Sequence, residues 1–420
     1  MLDEALSSAF EKLAKIRREQ VLLQLVLRKL GAEGIRLSPA QVLRLKRWVS
    51  GNLKAPAPRF RHKGLNQKFE IDITSREQRR IFAHLKRSLA DDSGRLTLKA
   101  ITSNARPFLR LMRAQWEAEI DEFERPMIPF LKRLRRVWKK PLALLRLQLH
   151  LARSVAAQIN DELRASPSRR KGPLIEVQTR LHARLCQIGA EVLHLLEFGF
   201  SEAAMSRWRS QHEVHVVLRF IQMNGPGLAK RYLAHEVVET WRGAEEYMKH
   251  CGRLGYAPME AAELAQLKQE FAQAVSVYGR PFAENYGWAA AVLFPKRATL
   301  STIEDAAGLA HLRPDYRRAS HSTHSNPKGL TQQLGMMPGT DYLPTGPSNY
   351  GLAIPGQNTA LTLAQGTAML VATAQTADRA LMVEVMKVIA DAAAEAFERA
   401  QMGIELREKK LRGQISGSAI

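Results

Sequence analysis

The chain is predicted to be all-α, a basic helical N-terminal region followed by an up-and-down helical bundle. Two observations predict this. Apolar residues recur at spacings of three and four over most of the sequence, the period of an amphipathic helix. The breaks between those stretches are short and built of Gly, Pro, Asn and Ser, which suits turns between antiparallel helices. Only residues 69–74, FEIDIT, alternate apolar and polar as a half-buried strand does. One strand makes no sheet, so it reads as an edge piece or an extended linker. No repeat recurs at a fixed period, which argues against a solenoid.

In chain order, residues 3–30 form a helix with a stripe of Leu6, Phe10, Leu13, Ile16 and Val21, ended by Gly31 and Gly34. Ser38 and Pro39 start the next, as N-cap and first helical residue. It stops at Gly51. Residues 52–68 read as a basic loop. Helix is expected over 75–89 and again over 107–124, with a turn at Asp91 to Gly94 between them. Pro126 and Pro129 break the pattern. FLKRLRRVWKK (130–140) then sets Phe130, Leu131, Leu134, Val137 and Trp138 against six bases, Arg133 and Arg136 among them. Such a helix can track phosphates, lie on an anionic bilayer, or bury its apolar stripe in a core. Helix continues over 142–164. SPSRRKGP (166–173) is the expected linker between a basic region, 1–165, and a bundle domain, 174–410.

The second part reads as helices over 174–198, 201–223, 228–254 and 259–278, broken at Asn224 to Gly227, Gly255 and Gly279. Ser301 and Thr302 cap a short helix over 303–312, and Pro314 follows. Residues 335–358 are rich in Gly and Pro and read as a long loop. A long Ala-rich helix from about 359 to 410, kinked near Gly366, closes the bundle.

Composition bounds the function. A length of 420 residues suits two domains. Two cysteines exclude a disulfide framework and fit a reducing cytoplasm. The N-terminus lacks the features of a signal peptide, and no apolar run reaches the roughly 18 residues of a spanning helix, so a soluble cytoplasmic protein is expected. Of the net charge of +22, residues 1–175 hold 38 Lys+Arg against 17 Asp+Glu, and residues 176–420 hold 25 against 24. A basic first part implies an anionic partner: nucleic acid first, an acidic membrane surface or an acidic protein after it. No phosphate-cradling P-loop, dinucleotide fingerprint or nucleophile elbow is present, and no cofactor is implied.

One stretch concentrates chemistry. YRRASHSTHSNPKG, 316–329, packs Arg317, Arg318, Ser320, His321, His324 and Asn326 into one polar run. A second cluster spans Arg207, Arg209, His212, Glu213 and His215. Arg209 and Glu213 are four apart and share a helix face. They read as an intrahelical ion pair or as lining of the same pocket as His324. Metal readings are weak. His212 and His215 are three apart, not the spacing of HExxH, and Glu191-x-x-His194 is half of a di-iron signature whose other half is missing. Trp241 and Trp288 read as core.

Motifs in order carry a resemblance. MSRWRSQHEVHVVLRFI (205–221) holds Arg209, Ser210 and Glu213 as an RS-x-x-E helix. LAKRYLAHE (228–236), ENYGWA (284–289) and YRRASHSTHSNP (316–327) follow. Together they resemble an uncharacterised bacterial all-helical family, a domain of unknown function occasionally found near defence genes, over about 178–400. That resemblance implies a helical fold and no reaction. The chain is also similar to HEPN domains, helical bundles with an Arg-x(4–6)-His motif, many of them metal-independent ribonucleases acting as dimers. Arg318-x5-His324 and Arg317-x6-His324 fit the spacing, as do Arg207-x4-His212 and Arg209-x5-His215. The resemblance implies a defence- or toxin-type ribonuclease and a homodimer. His324 would move the proton of the ribose 2′-hydroxyl or of the leaving oxygen, with Arg317 or Arg318 on the phosphate. Arg207, Arg209, Glu213, Ser320, Asn326, Arg133 and Arg136 are the expected binding residues. The alternative is a non-catalytic module that binds nucleic acid or docks a protein.

Overall fold

A computed structural model describes residues 2–51, 60–62, 65–67, 75–165, 172–340 and 344–417. It is all-α, with one small exception, and it divides into two compact units, Met1–Glu124 and Arg125–Ile420.

The first unit holds α1 (Leu2–Ala32) and α2 (Pro39–Gly51). Ser38 caps α2, exchanging hydrogen bonds with Gln41, as its sequence predicts. Leu30, Ile35 and Leu45 form a small core between the two helices. Within the expected loop lies a short antiparallel hairpin of β1 (Phe60–His62) and β2 (Leu65–Gln67). The strand expected over 69–74 falls outside the described residues. α3 (Ser75–Glu124) is one helix of 50 residues that packs on α1 and passes through the expected turn at Asp91 to Gly94 and through Pro107. Asp, Ser and Gly cost roughly 0.5–1 kcal/mol each in a helix, too little to break one between good helix formers.

The second unit starts with α4 (Met127–Ala165). Its break from α3 is at Arg125 and Pro126. Pro129 falls in the first turn, where a backbone N–H has no helical partner to lose. Leu134, Trp138 and Leu145 of α4 are fully buried, and the helix packs on later helices of the same unit. The division expected at 166–173 is therefore displaced to 124/125. Residues 166–171 of that linker lie outside the described residues. The charge layout moves with it. Residues 1–124 hold 25 Lys+Arg and 15 Asp+Glu, net +10, whereas 125–420 hold 38 and 26, net +12. The bases of α4 belong to the bundle, which is not the near-neutral body its sequence suggested. The apolar stripe of 130–140 is spent on the core, while Arg133 and Arg136 remain exposed.

α5 (Pro173–Glu197) and α6 (Ser201–Ala234) follow, joined by a tight turn. α6 is broken where Asn224 to Gly227 predicts, at Gly225, whose φ of 76° and ψ of −165° are non-helical. α7 (Glu236–Leu254) ends at Gly255 in the left-handed region, and α8 (Ala261–Tyr278) ends at Gly279. After short 3-10 turns come α9 (Ala290–Leu293) and α10 (Leu300–Ala306). Thr299, not Ser301, caps α10, through a capping box with Thr302. α11 (Arg313–Thr323) and α12 (Pro327–Thr331) take up most of the polar run 316–329. The last two helices are α13 (Ala353–Val371) and α14 (Ala377–Gly417). The single helix expected over 359–410 is thus two, and they meet at 372–376. Gly366 is no kink. A Cβ there would come within 2.8 Å of Leu185, so the glycine lets α13 lie close on α5.

α6 threads two cores. Its first half contributes Met205 and Trp208 to a cluster with Trp138, Leu185, Leu363 and Phe397. Its second half contributes Phe220 and Ile221 to a cluster with Phe282, Trp288 and Ile303. Each fully buried large side chain contributes about 1.5–3 kcal/mol, so α6 is fixed from both ends. Trp288 is core, as expected, and Trp241 stacks on Phe271. No helix among the described residues is long and apolar enough to cross a membrane.

Candidate functional site

The site forms where α11 packs on the middle of α6. α11 starts with a proline in its first turn and Asp315 near its N-terminus, both favoured there. It ends at His324, and Ser325 follows at φ 49°. Asn326 then caps α12, its side chain accepting from the Gly329 N–H at 3.1 Å. The run 316–329 is therefore helix, turn, helix. Tyr316, Ser320 and His324 fall on one face, four residues apart.

The two Arg/His clusters meet. Arg209 Nη1 lies 3.2 Å from His324 Nε2. Its Nη2 donates to the Tyr316 hydroxyl at 2.9 Å, and that hydroxyl donates to Glu213 Oε1 at 2.7 Å. Arg209 also faces Glu213 at 3.4 Å, and its guanidinium sits over the Tyr316 ring, 4.8 Å from the centroid. A guanidinium has donors only. His324 Nε2 must therefore accept, which places the ring proton on Nδ1. Burial pushes the Tyr316 phenol up to about 12, helped by its bond to Glu213, so it stays protonated.

A cleft of about 970 Å³ opens beside this relay, walled by Arg313, Arg317, Arg318, His321, His324 and Lys328. The single acid among the lining residues, Glu202, has its carboxylate on the Leu334 N–H. Arg313 is held by Glu304 and Asp305, at 2.6 Å each. Arg317, Arg318 and Lys328 have no ion pair among the described residues, so the cleft presents a net positive wall.

Of the residues expected from sequence, His324, Arg317, Arg318, Ser320 and Asn326 line this cleft. Arg209 and Glu213 lie behind it. Ser320 Oγ donates to the Tyr316 carbonyl at 2.9 Å. Arg207 is directed elsewhere, to Glu191 across α5 and α6. Arg133 and Arg136 lie on α4 and do not line the cleft. The competing Arg/His matches lead to buried rings. His215 is fully buried with both ring nitrogens unpartnered, and burial lowers its pKa to about 3. His212 is pushed down by burial against the pull of Glu304, which it meets at 2.8 Å. Among the described residues no three His, Cys, Asp or Glu side chains gather as a metal site. His194 instead pairs with Glu197 at 3.1 Å.

Sequence reasoning gave Tyr316, His321 and Lys328 no role, although all three lie in the polar run it singled out, and it did not name Glu304, which holds Arg313 and His212. The four-residue spacing of Tyr316, Ser320 and His324 was a usable signal that they share one helix face.

Residues 176–340 match a family model described as a family of unknown function (DUF5677). An uncharacterised domain family was expected over about 178–400, so the match ends earlier. It takes in α6, α11 and α12, and with them the whole relay and cleft. No curated protein and no solved structure matches the chain. The resemblance to HEPN domains finds no support in these comparisons.

Proposed function

We propose that the cleft receives the phosphodiester backbone of RNA and that His324 moves the proton in its cleavage. The ribose 2′-hydroxyl attacks phosphorus, its proton passes to the imidazole, and the bond to the 5′ oxygen breaks. That oxygen takes the proton back from the imidazolium, leaving a cyclic phosphate, a free hydroxyl and the neutral ring. Arg317 and Arg318 oppose the charge that builds on the phosphoryl oxygens. The carrying observation is the placement of His324 in a cleft beside three cations with no ion pair among the described residues, with Arg209 bonded to its ring.

Arg209 has a second part in this reading. While it donates to Nε2, that lone pair is engaged. An arriving phosphate competes for the same N–H and frees Nε2 to act as a base. Tyr316 and Glu213 keep the guanidinium in reach throughout.

The test is RNA cleavage in EDTA. His324→Ala should lower the rate at least 10²-fold with an unchanged circular dichroism spectrum, and a strand with 2′-deoxyribose at the cut site should resist. The engaged Nε2 also favours a second reading, a non-catalytic nucleic-acid-binding module. Binding with a steep salt dependence, and no cleavage by the wild type, would support that reading over the first.

A further inference from the structure

His321 lines the cleft, and no motif gives it a part. Its ring faces Asn326, with Nδ1 2.6 Å from the amide nitrogen Nδ2. The amide cannot be turned over. Asn326 Oδ1 accepts from the Gly329 N–H at 3.1 Å to cap α12, and a flipped amide would set donor against donor there. Nδ2 only donates, so His321 Nδ1 must accept. The ring proton then sits on Nε2. Among the described residues nothing pairs with that Nε2.

The two cleft histidines are thus fixed in opposite tautomers. His324 carries its proton on Nδ1, because Arg209 donates to its Nε2. His321 carries its own on Nε2, because Asn326 donates to its Nδ1. One ring has a lone pair that substrate can uncover. The other shows a single N–H. Arg317 lies one helical turn before His321 in a wall of net positive charge.

We propose that His321 is a neutral hydrogen-bond donor of the cleft, binding a phosphate oxygen through Nε2–H and leaving proton transfer to His324. The proposal rests on reading the cleft as a phosphate site. It makes His321 a positioning group for the phosphoryl centre and Asn326 the residue that sets its tautomer. A neutral donor polarises the phosphate without adding a proton that competes with the base.

The test uses the full chain with ¹⁵N-labelled histidine and, as probe, a DNA dinucleotide, which presents a phosphodiester but no 2′-hydroxyl. Long-range nitrogen–proton spectra report each ring's tautomer, and His321→Gln identifies the signals lost. The expected result is an Nε2–H tautomer for His321 in free and bound protein, with that resonance shifting on binding. His321→Ala should weaken probe binding about tenfold. His321→Gln, whose amide can still donate, should keep most of it. Asn326→Asp can still cap α12 but accepts at Nδ1, and should abolish the neutral Nε2–H pattern. An Nδ1–H tautomer, an imidazolium in the bound state, or wild-type affinity in His321→Ala would overturn the proposal. Absent RNA cleavage with these results intact removes the ribonuclease reading alone. Cleavage that proceeds normally in a His321→Ala protein binding the probe as the wild type does removes this one alone.

Discussion

Arg209 and His324 stand 115 residues apart in the sequence and 3.2 Å apart in the fold. The guanidinium fork makes this contact while also serving Tyr316 and Glu213. Lysine has one ammonium on a flexible stem and cannot reach all three. Arg209→Lys should keep the fold and cost about 1 kcal/mol in urea unfolding; under the proposed ribonuclease function it should also lower RNA cleavage roughly 10- to 100-fold, with a larger effect on kcat than on KM.

Tyr316→Phe removes only the hydroxyl between Arg209 and Glu213. The ring packing on His212 and under the guanidinium stays. The loss should be about 1–3 kcal/mol, since the Glu213 carboxylate loses its hydroxyl donor and keeps only the longer contact with Arg209. The readout is the midpoint of denaturant unfolding, with the slope unchanged.

The buried histidines make stability sensitive to mild acid. Burial holds His215 at about 3 and His182 at about 4, both below the roughly 6.5 of an unfolded chain. Because the folded values are depressed, the unfolded chain takes up these protons first. Their contribution is complete above about pH 6.5 and falls away as pH drops toward the folded values, each ring by about 1.4 kcal/mol per pH unit. Urea midpoints between pH 7 and 4.5 should show the slope, and His215→Gln should remove one ring's share of it.

Residues 130–140 should meet anionic surfaces by charge alone. Leu134 and Trp138 are fully buried, so no apolar face is left to insert. Any binding to anionic liposomes should be reversed by salt and leave tryptophan fluorescence unshifted. Arg133→Glu with Arg136→Glu should weaken it without loss of fold.

Gly356→Ala should destabilise α13 against α14. A Cβ at Gly356 would fall 2.2 Å from the Phe397 ring, which is itself fully buried. A loss of about 1–3 kcal/mol is expected from overpacking, and thermal unfolding measures it.

Helix identity was legible in the sequence wherever an apolar stripe or a cap was strong, as at Ser38, Gly225 and Gly255. It was misread where single residues argued against their surroundings. Asp91 to Gly94 and Pro107 were absorbed by a long helix, and Gly366 served close packing rather than a kink. The domain boundary was missed because Pro, Ser and Gly at 166–173 resemble a linker, whereas what assigns α4 is where Trp138 and Leu145 are buried. At the site, His324 and its arginines could be named from composition and spacing. Their connection to Arg209 could be raised only as one of two alternatives, since no local rule reports a contact between α6 and α11. Nor could the eliminations: only burial separates His215 from His324, and both satisfy the same motif.

The distance between α6 and α11 along the chain also sets an order in time. During synthesis Arg209 and Glu213 leave the ribosome well before Tyr316 and His324. α14, which packs on α4 and α13, follows later still. A nascent chain therefore holds one wall of the cleft without the other, and a core still open. The phosphate role proposed for the cleft therefore has to wait until α11 and α12 have been made and have packed on α6.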